Sequence, residues 1–297
     1  MKYLRIKEIG QIWGISERRV RVMCQRGQIE GAVRQGKLWL IPENTQKPTD
    51  GRFTKTAQQY IGLYRLRAEI NRCRPLTSGE KERLAQIFTA EYTYNSNAIE
   101  GNTLTLAETE LVLAGNTVSE KPLKDHLEAV GHKDAFDYIL SIVREKNIVN
   151  EKIIKDIHSL VLADKPMDRG VYRKVPVRIA GAKDIPTEPY LIEEKLKQLI
   201  MDYKKSDKNL FEKISLFHLK FESIHPFIDG NGRCGRLILN LMLMQEGFLP
   251  INIKFADRVK YYECFRIYSE TGDYKPMLNL ITAYEKERLT EYLNIVK

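Results

Sequence analysis

The sequence predicts a mainly α-helical protein with two small β-hairpins, divided into a short N-terminal unit and a larger helical region. Three observations carry this. Apolar residues recur three and four apart through most of residues 60–245, which is the period of helices buried on one face. Strict alternation is confined to two short stretches, around 31–42 and 171–189. Between the first hairpin and the first long helix lies "PENTQKPTDGRFTK", polar with two prolines and a glycine, which reads as a linker. At 297 residues the chain suits one larger and one smaller domain, and 43% hydrophobic with 29% charged residues describes a soluble globular protein. No signal peptide or run of about eighteen apolar residues is seen. The expected compartment is therefore cytoplasmic, with no membrane partner. Cys24, Cys73, Cys234 and Cys264 lie far apart, so neither a zinc site nor a disulfide framework is indicated.

Taken in order, "YLRIKEIGQIWGISERRVRVMCQRGQI" gives a short helix to Trp13, a turn at Gly14, Ser16 as N-cap and a second helix ending near Gly27. That is helix-turn-helix spacing. "GAVRQGKLWLIP" follows, with a Gln35-Gly36 turn between apolar runs, as in a wing. Residues 1–45 resemble the winged helix-turn-helix of MerR-like and excisionase-like DNA-binding domains. The resemblance implies DNA as a partner, with Arg18, Arg19 and Arg21 on the second helix meeting phosphates or base edges. Residues 1–50 hold ten Lys/Arg against five Asp/Glu, so much of the net +9 charge is concentrated here. Residues 46–56 are the expected linker, and 57–297 the larger region.

Helices are expected over 60–71, 78–100, 106–114, 124–144 and 151–162. Gly101 is placed to stop the second of these, and Thr105 with Glu108 forms a capping-box pattern for the third. Glu100, in a last turn, opposes the helix dipole and should seek a cation. His126 and His132 are six apart, on different faces of one helix, so they make no metal pair.

The chemistry concentrates in "HPFIDGNGRCGR", residues 225–236. Its Gly230, Gly232 and Gly235 satisfy G-x-G-x-x-G, yet the preceding segment spaces Leu210, Ile214, Phe217 and Phe221 as a helix. A dinucleotide-binding turn needs a strand there, so that reading fails. Pro226 ends the first helix at His225, and a buried helix runs through Leu237, Ile238, Leu241 and Met242 to about Gly247. A glycine-rich loop at a helix start presents free N–H groups and positive dipole, so an anion is expected. Arg233 and Arg236, cations at a positive helix end, argue for a polyanion. Asp229 among these donors calls for a bridging divalent cation, most economically Mg²⁺. His225 suits proton removal near neutral pH, so the site reads as phosphate-linked transfer to a hydroxyl.

The string resembles the Fic motif H-P-F-x-[D/E]-G-N-G-R-x-x-R at every fixed position, and the match extends over most of the chain beyond residue 55. The resemblance implies a helical Fic core with a small β-hairpin flap, and transfer of AMP from Mg-ATP to a Ser, Thr or Tyr hydroxyl of a target protein. It implies His225 as base, Asp229 as Mg²⁺ ligand, Arg233 at the transition state and Arg236 on the γ-phosphate. Gly230, Asn231 and Gly232 would hold phosphates within a nucleotide-binding stretch that includes Cys234 and Gly235. "RGVYRKVPVRIAGAKDIPTEPY", with Val175, Val177 and Ile179 alternating, resembles the flap that aligns a target segment, its turn Gly181-Ala182-Lys183 lying near the nucleotide. Tyr261 and Tyr262 stand where the family contacts the adenine side. "SNAIEGN" resembles the inhibitory motif [S/T]-x-x-x-E-[G/N], with Ser96, Glu100 and Gly101 at its fixed places. That implies intramolecular inhibition by Glu100 on Arg236. Some relatives with this glutamate also remove AMP, and some dimerise, so deAMPylation and a homo-oligomer stay open. Two alternatives remain: a DNA-bound regulator using the core as a nucleotide sensor, and transfer of another nucleotide or phosphate-containing group.

Overall fold

The computed structural model describes residues 3–13, 15–25, 27, 29–36, 38–45, 55–178 and 185–297, with the side chains of residues 11 and 55–59 left aside. The expected turns at Gly14 and Gly181-Ala182-Lys183, Ile179 and most of the linker lie outside the described residues. The chain separates into two compact units, residues 1–58 and 59–297.

In the first unit, strand β1 (Tyr3–Arg5) leads into helix α1 (Ile6–Trp13) and helix α2 (Glu17–Gln25), followed by β2 (Val33–Gln35) and β3 (Leu38–Pro42). The sheet is antiparallel with order β1-β3-β2, Leu4 facing Ile41 and Arg34 facing Trp39. Gly10 permits the close α1–α2 turn, where the Ile15 N–H donates to the Gly10 carbonyl at 2.9 Å. A side chain at Gly10 would press on the Ile15 carbonyl. Ile6, Ile9, Val20, Met23, Cys24, Ile29 and Ile41 form a separate small core. The expected hairpin is present, and β1 adds a strand that a three-residue segment could not announce.

The second unit is helical: α3 (Lys55–Ile70), α4 (Ser78–Ile99), α5 (Leu106–Leu113), α6 (Leu123–Arg144), α7 (Glu151–Val161), α8 (Ile192–Lys205), α9 (Leu210–Ile224), α10 (Asn231–Gln245), α11 (Arg258–Thr271) and α12 (Lys275–Val296). The predicted helices agree to within a residue or two, apart from an α3 that starts earlier. Capping boxes Thr77–Glu80 and Thr105–Glu108 fix the starts of α4 and α5. α10 is buried on nearly every side, as its unbroken "LILNLMLM" requires, and packs against α4, α6, α7 and α9. α8, α11 and α12 pack against α9, and α11 against α12. Each fully buried Leu, Ile or Phe in this core contributes about 1.5–3 kcal/mol. The site is therefore anchored to a helix enclosed on nearly every side.

The predicted flap hairpin is corrected. Among the described residues, 171–178 and 185–188 form no strand. Two backbone carbonyls of the described residues here are met by a buried side chain instead. Arg173 Nη1 donates to the Val175 carbonyl at 3.0 Å, and Nη2 donates to the Thr187 carbonyl, so one guanidinium joins both limbs without a ladder.

Candidate active site

The loop between α9 and α10 carries the site. α9 ends on His225, whose backbone is left-handed at φ 51°, an unusual state for a non-glycine residue. Arg173, only 5% exposed, holds it there. Its Nε donates to the His225 carbonyl at 2.7 Å, and its backbone N–H to the Pro226 carbonyl at 3.0 Å. Burial lowers the imidazole pKa below its ordinary value. The Arg173 charge adds to this, while the Glu222 carbonyl, Glu100 and Asp229 oppose it. His225 is thus neutral at physiological pH and available as a base.

Asn231 stitches the loop: its amide donates to the Phe227 carbonyl and its oxygen accepts from the Phe227 N–H, both at 2.9 Å. His158 on α7 stacks flat on Phe227 at 3.7 Å between ring centres. Because the Gly170 N–H donates to Nδ1, the proton lies on Nε2, which donates to the Asp229 carbonyl at 3.0 Å. Burial drives the His158 pKa down to about 4, consistent with this neutral tautomer. Gly230 turns the chain at φ 76° into α10. The first-turn N–H groups of α10, on Asn231, Gly232 and Arg233, precede the helix's own i to i−4 ladder, the kind of donor set that suits an anion.

The charged groups converge here. Asp229 accepts from Lys165 Nζ at 2.5 Å and stands 3.6 Å from Arg233. Burial raises its carboxyl, but the Lys165 bond and the Arg233 charge prevail and keep the pKa low. Among the described residues no three His, Cys, Asp or Glu cluster as a metal cage. A single, partly exposed carboxylate already balanced by an ammonium fits a cation that arrives with phosphates, as Mg²⁺ does. Arg233, 2% exposed, meets Glu128 of α6 at 3.1 Å. Arg236 is equally buried: Nε donates to Ser96 Oγ at 3.0 Å, Nη2 to the Ser96 carbonyl at 2.7 Å, and Nη2 pairs with Glu100 at 2.8 Å. Gly232 makes room for that pair, since a Cβ there would collide with the Glu100 carboxylate.

Sequence reasoning thus finds His225, Asp229, Arg233, Arg236, Ser96 and Glu100 gathered at one place. Three expected contacts are corrected. Cys234 has its side chain in the core and its N–H bonded to the Gly230 carbonyl, because it lies past the free first turn. Gly235 faces Glu222 and His218 of α9, where any side chain would clash, so its smallness serves helix packing. Tyr261 is 1% exposed. It accepts from Arg236 at 3.5 Å, pairs with His218 at 2.8 Å and leaves only Tyr262, 47% exposed, with a ring open to a ligand. Arg173, His158, Lys165 and Glu128 were not anticipated. His126 and His132 hold structural posts, as expected: His126 bonds to Val118 and Pro122, and His132 to Thr93 at 3.2 Å.

Residues 148–243 match the family model described as Fic/DOC family. The protein adenylyltransferase Fic of Nematostella vectensis is 33% identical over 210 residues, covering 68% of this chain and 48% of that one. The protein adenylyltransferase fic-1 of Caenorhabditis elegans is 29% identical over 214 residues, covering 69% of this chain and 41% of that one. The chain therefore spans about half, or less, of the length of these curated relatives. A solved structure of C. elegans Fic-1, residues 134–508, superposes with a TM-score of 0.73 at 26% identity, covering 81% of this chain and 72% of that one.

Proposed function

From a chain that carries a Fic/DOC-family domain and is related to the Fic protein adenylyltransferases, we propose an enzyme that moves AMP from Mg-ATP to a hydroxyl of a target protein, restrained by its own Glu100. The observation that carries this reading is the 2.8 Å pair between Glu100 and buried Arg236, set beside His225, Asp229 and Arg233. A carboxylate on that arginine takes the place a terminal phosphate would need.

In this reading the N–H groups of Asn231, Gly232 and Arg233 hold the phosphates, and Asp229 holds the cation that accompanies them. That cation supplies neutralisation of the developing phosphate charge. His225 takes the proton from the acceptor hydroxyl as its oxygen attacks the α-phosphate. The bond from the α-phosphorus to the bridging oxygen breaks, and pyrophosphate leaves. Arg233 stabilises charge on the pentavalent phosphorus, and Arg236 fixes the γ-phosphate so that the leaving group lies in line. Tyr262 borders the base.

The test is labelling of cell lysate with α-³²P-ATP by wild type, Glu100→Gly and Glu100→Gly/His225→Ala. Labelled protein that rises with the first change and disappears with the second is expected. Equal labelling by wild type and Glu100→Gly would remove the inhibition, and unlabelled lanes with ATP bound would point to another donor group. Incubating purified labelled target with wild type and excess unlabelled ATP reads AMP removal directly.

For residues 1–45 we propose a winged helix-turn-helix that binds DNA. Support comes from α1 and α2 at short spacing before a hairpin, with Arg18, Arg19 and Arg21 all exposed on α2. Duplex binding that weakens with salt and with a triple alanine change at these arginines is expected. Binding by the triple variant equal to wild type would exclude α2 as the reader.

A further inference from the structure

The two active-site arginines are held by acids from different helices, and those two attachments are joined. Glu128 is buried on α6, its Oε1 lying 3.1 Å from Arg233 Nη1, with Lys124 Nζ at 3.5 Å on the solvent side. The approach to Arg233 is electrostatic rather than aligned, since Arg233 Nε and Nη1 have no hydrogen-bond acceptor. A buried guanidinium with undirected N–H groups keeps its charge balanced yet can turn donors toward an arriving anion. The other oxygen, Oε2, accepts from Asn102 Nδ2 at 2.9 Å.

Asn102 lies two residues beyond Glu100, and its attachments define where that glutamate can go. Nδ2 also donates to the Asp125 carbonyl at 3.1 Å, its N–H donates to the Asn97 carbonyl at 3.1 Å, and Thr103 donates from both N and Oγ1 to the Asp125 carboxylate. One face of α6, carrying Asp125 and Glu128, therefore grips the loop after α4 and also faces Arg233. Moving the Glu100 loop would pull on the carboxylate that balances the Arg233 charge.

We propose that Glu128 is the positioning residue for Arg233, and that its bond to Asn102 makes the aim of Arg233 depend on the Glu100 loop. One latch then sets both arginines. The kinetic consequence rests on the AMP-transfer reading above, whereas the coupling itself does not.

Both are tested with ¹⁵N-arginine-labelled full-length protein, following the slowly exchanging Nε–H signals of buried Arg233 and Arg236, assigned with Arg233→Lys and Arg236→Lys. Glu100→Gly should shift the Arg236 signal directly and the Arg233 signal through the latch. Glu128→Gln should shift or broaden the Arg233 signal and, in the Glu100→Gly background, lower kcat about tenfold with little change in Mg-ATP affinity. Asn102→Ala, at a partly exposed position, should leave the fold intact and uncouple Arg233 from Glu100→Gly. An Arg233 signal indifferent to Glu128→Gln overturns the positioning role, and one that still follows Glu100→Gly in Asn102→Ala overturns the coupling. If Glu100→Gly transfers no AMP while the signals respond as stated, the latch stands and the proposed reaction falls.

Discussion

At His225 the backbone and the ring are prepared separately. Arg173 fixes the left-handed backbone, and burial keeps the ring neutral. Because the imidazole pKa lies below its ordinary 6.5, protonation removes the base only at lower pH. The acid limb of kcat/KM for AMP transfer by Glu100→Gly should therefore fall below pH 6.5, and a pH-rate profile with its limb above 7 would contradict this assignment. Arg173→Ala should cut transfer at least about a hundredfold, on the scale of losing a positioned base. Arg173→Lys should not restore it, because an ammonium cannot span the carbonyls of His225, Val175 and Thr187 at once. Kinetics of the two variants, with melting curves as the control for folding, checks this. His225, Asp229, Arg233 and Arg236 were legible because the end of α9, one short loop and the first turns of α10 carry all four within twelve residues. Arg173, His158, Lys165 and Glu128 were not, since each acts across a tertiary gap that no local pattern encodes. Tyr261 misled because its helix position is right while its burial is set by His218 and Arg236.

At the scale of elements, α4 buries a polar stripe, Thr93, Ser96 and Asn97, that runs out to its exposed C-cap Glu100. Thr93, Ser96, Asn97 and Glu100 recur at helical spacing and meet His132, Arg236, the Glu128 carbonyl and Arg236 in turn. Such a stripe reads from sequence as solvated surface; the helix dipole pointed to a cationic partner for Glu100, and the resemblance named Ser96 and Glu100, but nothing marked Thr93 or Asn97. The end of the helix was legible in physical terms: Gly101 adopts φ 94°, a conformation that costs a side chain about 1 kcal/mol. Gly101→Ala should therefore favour release of the Glu100 loop and raise basal AMP transfer about fivefold, still below Glu100→Gly. Initial labelling rates of the three proteins decide it, and a rate at or below wild type would show that the loop does not carry the restraint. The flap region shows the opposite lesson. Alternating Val175 and Val177 suggested a strand, but Arg173 satisfies the carbonyls of Val175 and Thr187 that a ladder would have used.

Across the whole molecule the buried ionisable groups give stability a definite pH trend. Glu222 and Glu285 are both raised by burial to about 8 from an ordinary 4.5. Their protonated, folded forms lose advantage as pH rises through that interval. Buried His158 and His218, lowered to about 4 and 3 from 6.5, contribute the opposite slope, but only below pH 6.5. Between pH 6.5 and 8 the glutamates act unopposed by these histidines, so the melting temperature should fall over that range. Glu285→Gln should flatten the fall without touching the site, as calorimetry at half-unit intervals would reveal, and an unchanged slope would assign it elsewhere. The mainly helical architecture was readable from periodicity because its helices are long and one-sided, whereas the unit boundary rested only on a polar stretch. The Glu100–Arg236 pair has one further consequence. A competitor carried on the same chain cannot be diluted away or outnumbered by other protein molecules. If the arginine is free for only a small fraction of the time, the nucleotide concentration needed for half-occupancy rises by the inverse of that fraction. In the proposed reading the restraint shifts nucleotide occupancy to higher concentration without sharpening it, so the filled fraction would follow how much nucleotide the surroundings hold.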